Sequence, residues 1–302
     1  MDHSRQRTNP ADPKTIRKFV NRLPIPRQAL PINYDTCKGK WPKRPFYRIY
    51  MRENYHRFHK DFPLTKIWGY NGKYPGPIIE AEKDVPIRIQ WINQLPDKHI
   101  LPVDRSLHGC GDSPDNCAVV HLHGANVASS SDGHPDAWFT PGYRNVGPSF
   151  SRKIYEYPNH QPGATLWYHD HVGGMTRLNV YAGLLGLYIL RDPLEKRLNL
   201  PQGDYEIPLI IQDKQFNEDG SLFYPDNATP PVDKPTPSTP SFFFGNTVVV
   251  NGKIWPYLNV EPRKYRFRIL NGSNTRAYTL SLSNGGSFIQ IGTDLGLLRR
   301  PM

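Results

Sequence analysis

Two stretches of the chain alternate apolar and polar residues with a period of two. In "DVPIRIQWIN", Val85, Ile87, Ile89 and Trp91 fall on one side, with Arg88 and Gln90 on the other. In "RKYRFRILN", Tyr265, Phe267 and Ile269 share a side, with Arg266 and Arg268 opposite. Side chains along a strand point to opposite faces in turn. This pattern, written in β-branched and aromatic residues, therefore predicts half-buried strands. A third stretch, "GLLGLYIL" from Gly183 to Leu190, is nearly continuous in apolar residues and reads as a strand closing a domain. No window carries an apolar helical stripe of useful length. No segment approaches the ~18–20 apolar residues of a membrane span.

The two alternating strands belong to longer segments that resemble each other at a separation of about 179 residues. Asn71 to Asn93 and Asn251 to Asn271 both open with Asn-Gly-Lys, pass a proline, and reach a glutamate (Glu82 and Glu261). Each then runs through its strand to an asparagine. A repeat of this length, all strand and turn, predicts two related β-sandwich domains. The 31 prolines, 24 glycines and 36 aromatic residues fit short strands joined by turns. The expected layout is an N-terminal arm over 1–44, a first domain over 45–192, a connector over 193–204 and a second domain over 205–302. Ala228 to Pro240 is a proline-rich surface loop. After the second repeat only about thirty residues remain, so the second sandwich is expected to be incomplete.

Charge changes the picture only at one end. Residues 1–60 hold fifteen Lys/Arg and four Asp/Glu, and the remaining 242 balance, so the whole net charge of +11 sits on the arm. The arm reads as a basic, solvated and partly flexible tail. No stacking motif or reader fold supports nucleic-acid recognition. The first twenty residues lack the apolar core of a secretory signal. Three cysteines are too few for a disulfide scaffold; Cys110 and Cys117 bracket a short polar loop and either bridge or stand free, and Cys37 has no evident partner.

The chemistry lies in histidines. "VVHLHG" sets His121 and His123 two apart on a strand, with Cα atoms about 6.6 Å apart on one face. That spacing suits neighbouring ions better than two ligands on one ion, since metal–nitrogen bonds are only about 2 Å long. "LWYHDH" repeats the device with His169 and His171. Two such strands packed together would offer four converging imidazoles, a set that suits copper, zinc, iron or nickel. His108 and His134 read as surface residues. Asp132 alone reads as part of an Asp-Gly turn.

The stretches "HLHG…SDGHPDAWF", "LWYHDH…TRLNVYAGL" and "EPRKYRFRILN", with "WGYNGKYPGPIIE" and "NEDGSLFYP", resemble the three-domain multicopper oxidases. The match is nearest to the spore-coat laccases and their bilirubin-oxidase relatives, in order from about Phe19 to the end. The resemblance implies an all-β fold of tandem cupredoxin-like Greek-key β-sandwich domains, the second truncated. It implies a copper cluster that reduces dioxygen to water with electrons from a small-molecule substrate. By position His121 matches a type 2 copper ligand, His123, His169 and His171 match type 3 ligands, and Asp132 matches an acid that helps deliver protons. "HVGGM" departs from the usual wording after the second pair. The family's remaining cluster ligands and its type 1 site come from a third domain, and no cysteine here has a histidine beside it. The expectation is the front part of a larger enzyme, inactive alone. The alternatives are a degenerate coat or surface protein, or a subunit completed by a separate third-domain chain. Location at a spore coat or cell surface is an inference from the same resemblance.

Overall fold

The computed structural model describes residues 9–35, 44–105, 107–111, 113–225 and 242–302. Cys37 and the proline-rich loop lie outside them. Within them the chain forms, in order, β1 Asn33–Asp35, β2 Arg44–His56, β3 Thr65–Tyr70, β4 Ile79–Glu82, β5 Ile87–Gln94, β6 Val120–His123, β7 Ile154–Tyr157, β8 Ala164–Asp170 and β9 Leu185–Arg191. There follow β10 Glu206–Lys214, β11 Thr247–Val250, β12 Lys253–Ile254, β13 Arg266–Asn271, β14 Gly292–Thr293 and β15 Gly296–Leu297. The α-helices are short: α1, Thr176–Ala182, and α2, Pro193–Lys196. The fold is mainly β, as expected.

Strands β1–β9 make two facing mixed sheets. One runs β1-β2-β5-β7 with β3 also paired to β2, and the other runs β4-β9-β8-β6. Their inner faces meet in an aromatic core. Tyr168 packs 4.8 Å from Tyr70 and 5.3 Å from Trp91, ring centre to ring centre, around fully buried Ile49, Met51 and Ile89. The predicted alternation of β5 holds, with Ile87, Ile89 and Trp91 inward. The continuous apolar run of β9 has a separate cause: both its faces are covered. Tyr188 and Leu190 face the sandwich core, while Leu185, Leu187 and Ile189 pack with Ile210 of β10.

The repeat is visible in the hydrogen bonds. β2 pairs antiparallel with β3 and parallel with β5; β10 does the same with β11 and β13. Each antiparallel partner ends in an Asn-Gly turn with both residues at positive φ, 53° and 63° for Asn71-Gly72 and 48° and 79° for Asn251-Gly252. The Asn71 Oδ1 accepts from Tyr50 N at 3.0 Å, and the Asn251 Oδ1 accepts from Ile210 N at 2.8 Å.

Two expectations need correction. The alternation in β13 is real, but its buried face is the arginine face. Arg266 and Arg268 turn inward onto Glu195 and Glu206, leaving Phe267 and Ile269 exposed. And residues 9–34 are no flexible tail. They cross both halves of the chain, burying Ile16, Leu23 and Ala29, with Leu23 N donating to Tyr257 O at 2.7 Å and Ala29 N to Ile78 O at 2.7 Å.

Candidate metal centre

β6 and β8 are antiparallel neighbours, with His121 opposite His169 and His123 opposite Trp167. On both strands the apolar positions turn into the sandwich: Val120 and Leu122 on β6, Leu166 and Tyr168 on β8. Period two then delivers His121, His123 and His169 to the opposite face of the sheet. His171 follows just past the end of β8, its N–H donating to Val119 O at 3.0 Å.

The rings gather closely. His121 lies 5.6 Å from both His123 and His169, and stacks on His171 at 4.6 Å with a 24° interplanar angle. One nitrogen from each of His121, His123 and His169 falls within 4.8 Å of the others, so these three could hold a metal ion. His171 stands outside that tight triple, its ring 4.6 Å from His121 and 5.6 Å from His169. Trp167 stacks on His169 at 4.0 Å and on His123 at 5.2 Å, restraining both rings.

Backbone carbonyls decide which nitrogen each ring offers. Nδ1–H of His121 donates to Asp132 O at 2.6 Å, that of His169 to Asp170 O at 2.7 Å, and that of His171 to Gly133 O at 2.9 Å. A hydrogen bond at one ring nitrogen leaves the other as the lone-pair donor. Three rings therefore present Nε2. His123 is the exception, with Nδ1 3.3 Å from the His169 Nε2, close enough for both to reach one ion.

Burial favours the neutral, ligating form of three of the rings, His123, His169 and His171. Burial pulls His169 down to about 3, against the hydrogen bond to the Asp170 carbonyl. Burial and then the neighbouring His121 and His171 lower His123, while burial lowers His171. The charge of Asp294, in the β14–β15 turn, acts in the opposite sense on His123. An all-nitrogen donor set fits copper and the other borderline metals.

Asp132 sits beside the group, its Oδ1 3.4 Å from the His121 Nδ1 and its side chain 41% exposed. His108 and His134 are both at the surface. Cys110 and Cys117 are buried free thiols, and the Cys117 Sγ lies 3.8 Å from the Met175 Sδ. One participant went unread in the sequence: Asp170, between the second pair of histidines. It is fully buried, accepts from Val119 N, Val172 N and the Asn179 Nδ2, and burial raises its carboxyl to about 7. The signal was available, since period two on β8 sends Asp170 inward whenever His169 points out.

The family model for multicopper oxidases matches residues 54–110 and 112–195, spanning both histidine pairs. A laccase of Bacillus stratosphericus is 53% identical over 291 residues, covering 95% of this chain and 56% of the relative. A laccase of Bacillus subtilis (strain 168) is 51% identical, again covering 95% of this chain and 55% of the relative. The chain is a homologue of the multicopper oxidases. Among solved structures, the laccase of Pediococcus acidilactici superposes with a TM-score of 0.72 at 27% identity, covering 95% of this chain and 54% of that one. The McoA multicopper oxidase of Aquifex aeolicus gives 0.68 at 28% identity, covering 93% and 53%. The chain spans about half the length of the curated relatives it matches. A multicopper oxidase implies copper, and the His121, His123 and His169 cluster could bind it.

Proposed function

We propose that this chain carries part of the copper centre of a laccase-type oxidoreductase, in which one-electron oxidation of phenolic or similar substrates is coupled to reduction of O2 to water. His121, His123, His169 and His171 are the ligands in this reading, with His121 on a type 2 ion and the other three on type 3 ions. The domains are 45–192 and 205–302, joined through 193–204. Bound copper would supply the one-electron redox chemistry and dioxygen reactivity that side chains lack.

The chain's own residues have defined tasks. Three rings offer Nε2 and His123 offers Nδ1. Trp167 fixes the rings of His123 and His169 by stacking. Asp132 is exposed on one side and adjacent to His121 on the other, so its carboxylate can pass a proton between solvent and the centre. The observation that carries the reading is the pair of antiparallel strands presenting the histidines on one face, within a sequence 53% identical to a laccase.

The test is metal content. The copper-loaded chain should bind copper, and His169→Gln should lower the metal-to-protein ratio; a ratio near zero for the native sequence would sink the proposal. Steady oxidation of a phenolic dye is not expected from these 302 residues alone, because no cysteine has a neighbouring histidine to form an electron-accepting thiolate site. Adding a chain that bears a His-Cys-His segment should restore it.

A further inference from the structure

The Asp132-Gly133 turn holds two of the four rings at once. Its consecutive carbonyls accept from the Nδ1–H of His121 at 2.6 Å and of His171 at 2.9 Å. Those two rings are also the stacked pair, 4.6 Å apart. His121 comes from β6 and His171 from beyond β8, so a single loop sets the direction of side chains on two strands. His169 is different, since the acceptor for its Nδ1–H is the carbonyl of its own neighbour, Asp170.

Gly133 is what lets the turn come so near. Its φ is +75°, a conformation that favours glycine. A Cβ there would overlap the Val120 carbonyl oxygen and lie 2.6 Å from the Val120 carbonyl carbon and 2.9 Å from His121 N. All three are backbone atoms of β6 or its start, so none can swing aside. Any side chain at 133 must push the turn off the strand and carry both carbonyls with it.

We infer that the Asp132-Gly133 turn is a carbonyl clamp, and that Gly133 is a positioning residue that fixes the ring orientation of His121 and His171 with Nε2 free. The inference rests on the reading of these histidines as metal ligands, but it makes a claim about the metal-free protein that can be checked separately. Ligand partners of this kind typically change metal affinity by roughly 10–100-fold when lost.

The experiment is long-range nitrogen–proton correlation NMR on the metal-free, histidine-labelled full chain at neutral to mildly alkaline pH. Signals are assigned with His121→Gln and His171→Gln. In the native sequence, His121, His171 and His169 should all carry the proton on Nδ1. In Gly133→Ala, His121 and His171 should lose that preference while His169 keeps it, and copper affinity should fall roughly 10–100-fold. A general loosening of the fold would move His169 as well. The inference is overturned if His121 and His171 carry the proton on Nε2 in the native sequence, a measurement that does not depend on the variant folding. It is equally overturned if a folded Gly133→Ala leaves both tautomers unchanged. Native tautomers as expected, in a chain that takes up no copper, would leave the clamp standing and remove the ligand reading.

Discussion

At the scale of single residues, burial works against charge on several imidazoles, His99 and His169 among them. His99 is almost wholly buried. Its Nε2–H donates to the Asn179 Oδ1 at 2.9 Å, and its Nδ1 accepts from Leu101 N at 2.9 Å. The same Nδ1 lies 3.1 Å from Leu101 O. Burial brings His99 down to about 4, against the hydrogen bonds to Asn179 and Leu101. An unfolded histidine titrates near 6.5, so between pH 6.5 and 4 the unfolded chain gains a proton that the folded chain refuses. The stabilisation is complete above pH 6.5 and disappears as the pH falls to about 4. Asp170 acts in the opposite sense: its folded carboxyl is raised to about 7, so the stability it adds when protonated is lost as pH rises from about 4 to 7. Comparing the native chain with His99→Gln cancels the Asp170 contribution, because both proteins contain it. Denaturant unfolding at pH 7 and at pH 4.5 should show the native chain losing roughly 1–3 kcal/mol more than His99→Gln over that interval. Parallel losses would mean that His99 is not held neutral.

At the scale of elements, β13 shows where reading a pattern stops. The period of two in "RKYRFRILN" identified the strand, and its parallel place beside β10 followed the repeat. Which face was buried could not be read there, because the reason lies elsewhere in the chain. Arg266 meets Glu195 of α2 at 3.0 Å, and Arg268 meets Glu206 of β10 at 2.6 Å and the Thr165 Oγ1 of β8 at 2.7 Å. Glu206 also receives Arg191 at 2.6 Å. Three carboxylates, Glu195, Glu206 and Glu80, thus serve three guanidinium groups between the strands and the connector. The histidine pairs were legible for the converse reason: a two-residue spacing on a strand is a local fact, and one antiparallel pairing brings the pairs together. The carbonyls that orient them come from a loop and were not legible. Glu206 is only 6% exposed in its side chain and Arg268 only 4%, so Glu206→Gln should strand buried charge on Arg268 and cost about 3–5 kcal/mol in urea unfolding. Glu80→Gln removes a partner of Arg191 that is 33% exposed and should cost under about 1 kcal/mol. Equal losses in the two variants would refute an energetic role for burial in this cluster.

At the scale of the whole molecule, the question is what ties the two halves together, and the basic N-terminal segment takes part in both. Ala11 N donates to Phe216 O in the second half, Arg17 O accepts from the His59 Nε2 in the first, and Phe19 N returns to Trp255 O in the second. The Asn251 Nδ2 of the second Asn-Gly turn donates to Pro24 O, and Ile78 N of the first half donates to Arg27 O. The bonds are to backbone and the buried anchors are Ile16, Leu23 and Ala29, so charge is incidental to the attachment. Arg17 does pair with Asp61, but both are well exposed, and exposed pairs contribute little. Two perturbations separate these contributions. Deleting residues 1–30 should lower stability by roughly 3 kcal/mol, the order expected from the loss of the two larger buried side chains, Ile16 and Leu23. Raising the salt to about 0.5 M, where surface charges are screened within a few ångströms, should leave the thermal midpoint of the intact chain nearly unchanged. A midpoint that fell with salt as far as it fell with the deletion would assign the attachment to the excess of Lys and Arg instead. Calorimetry on the two proteins at low and high salt reads both effects, and the deletion should also split the single transition if the segment couples the halves.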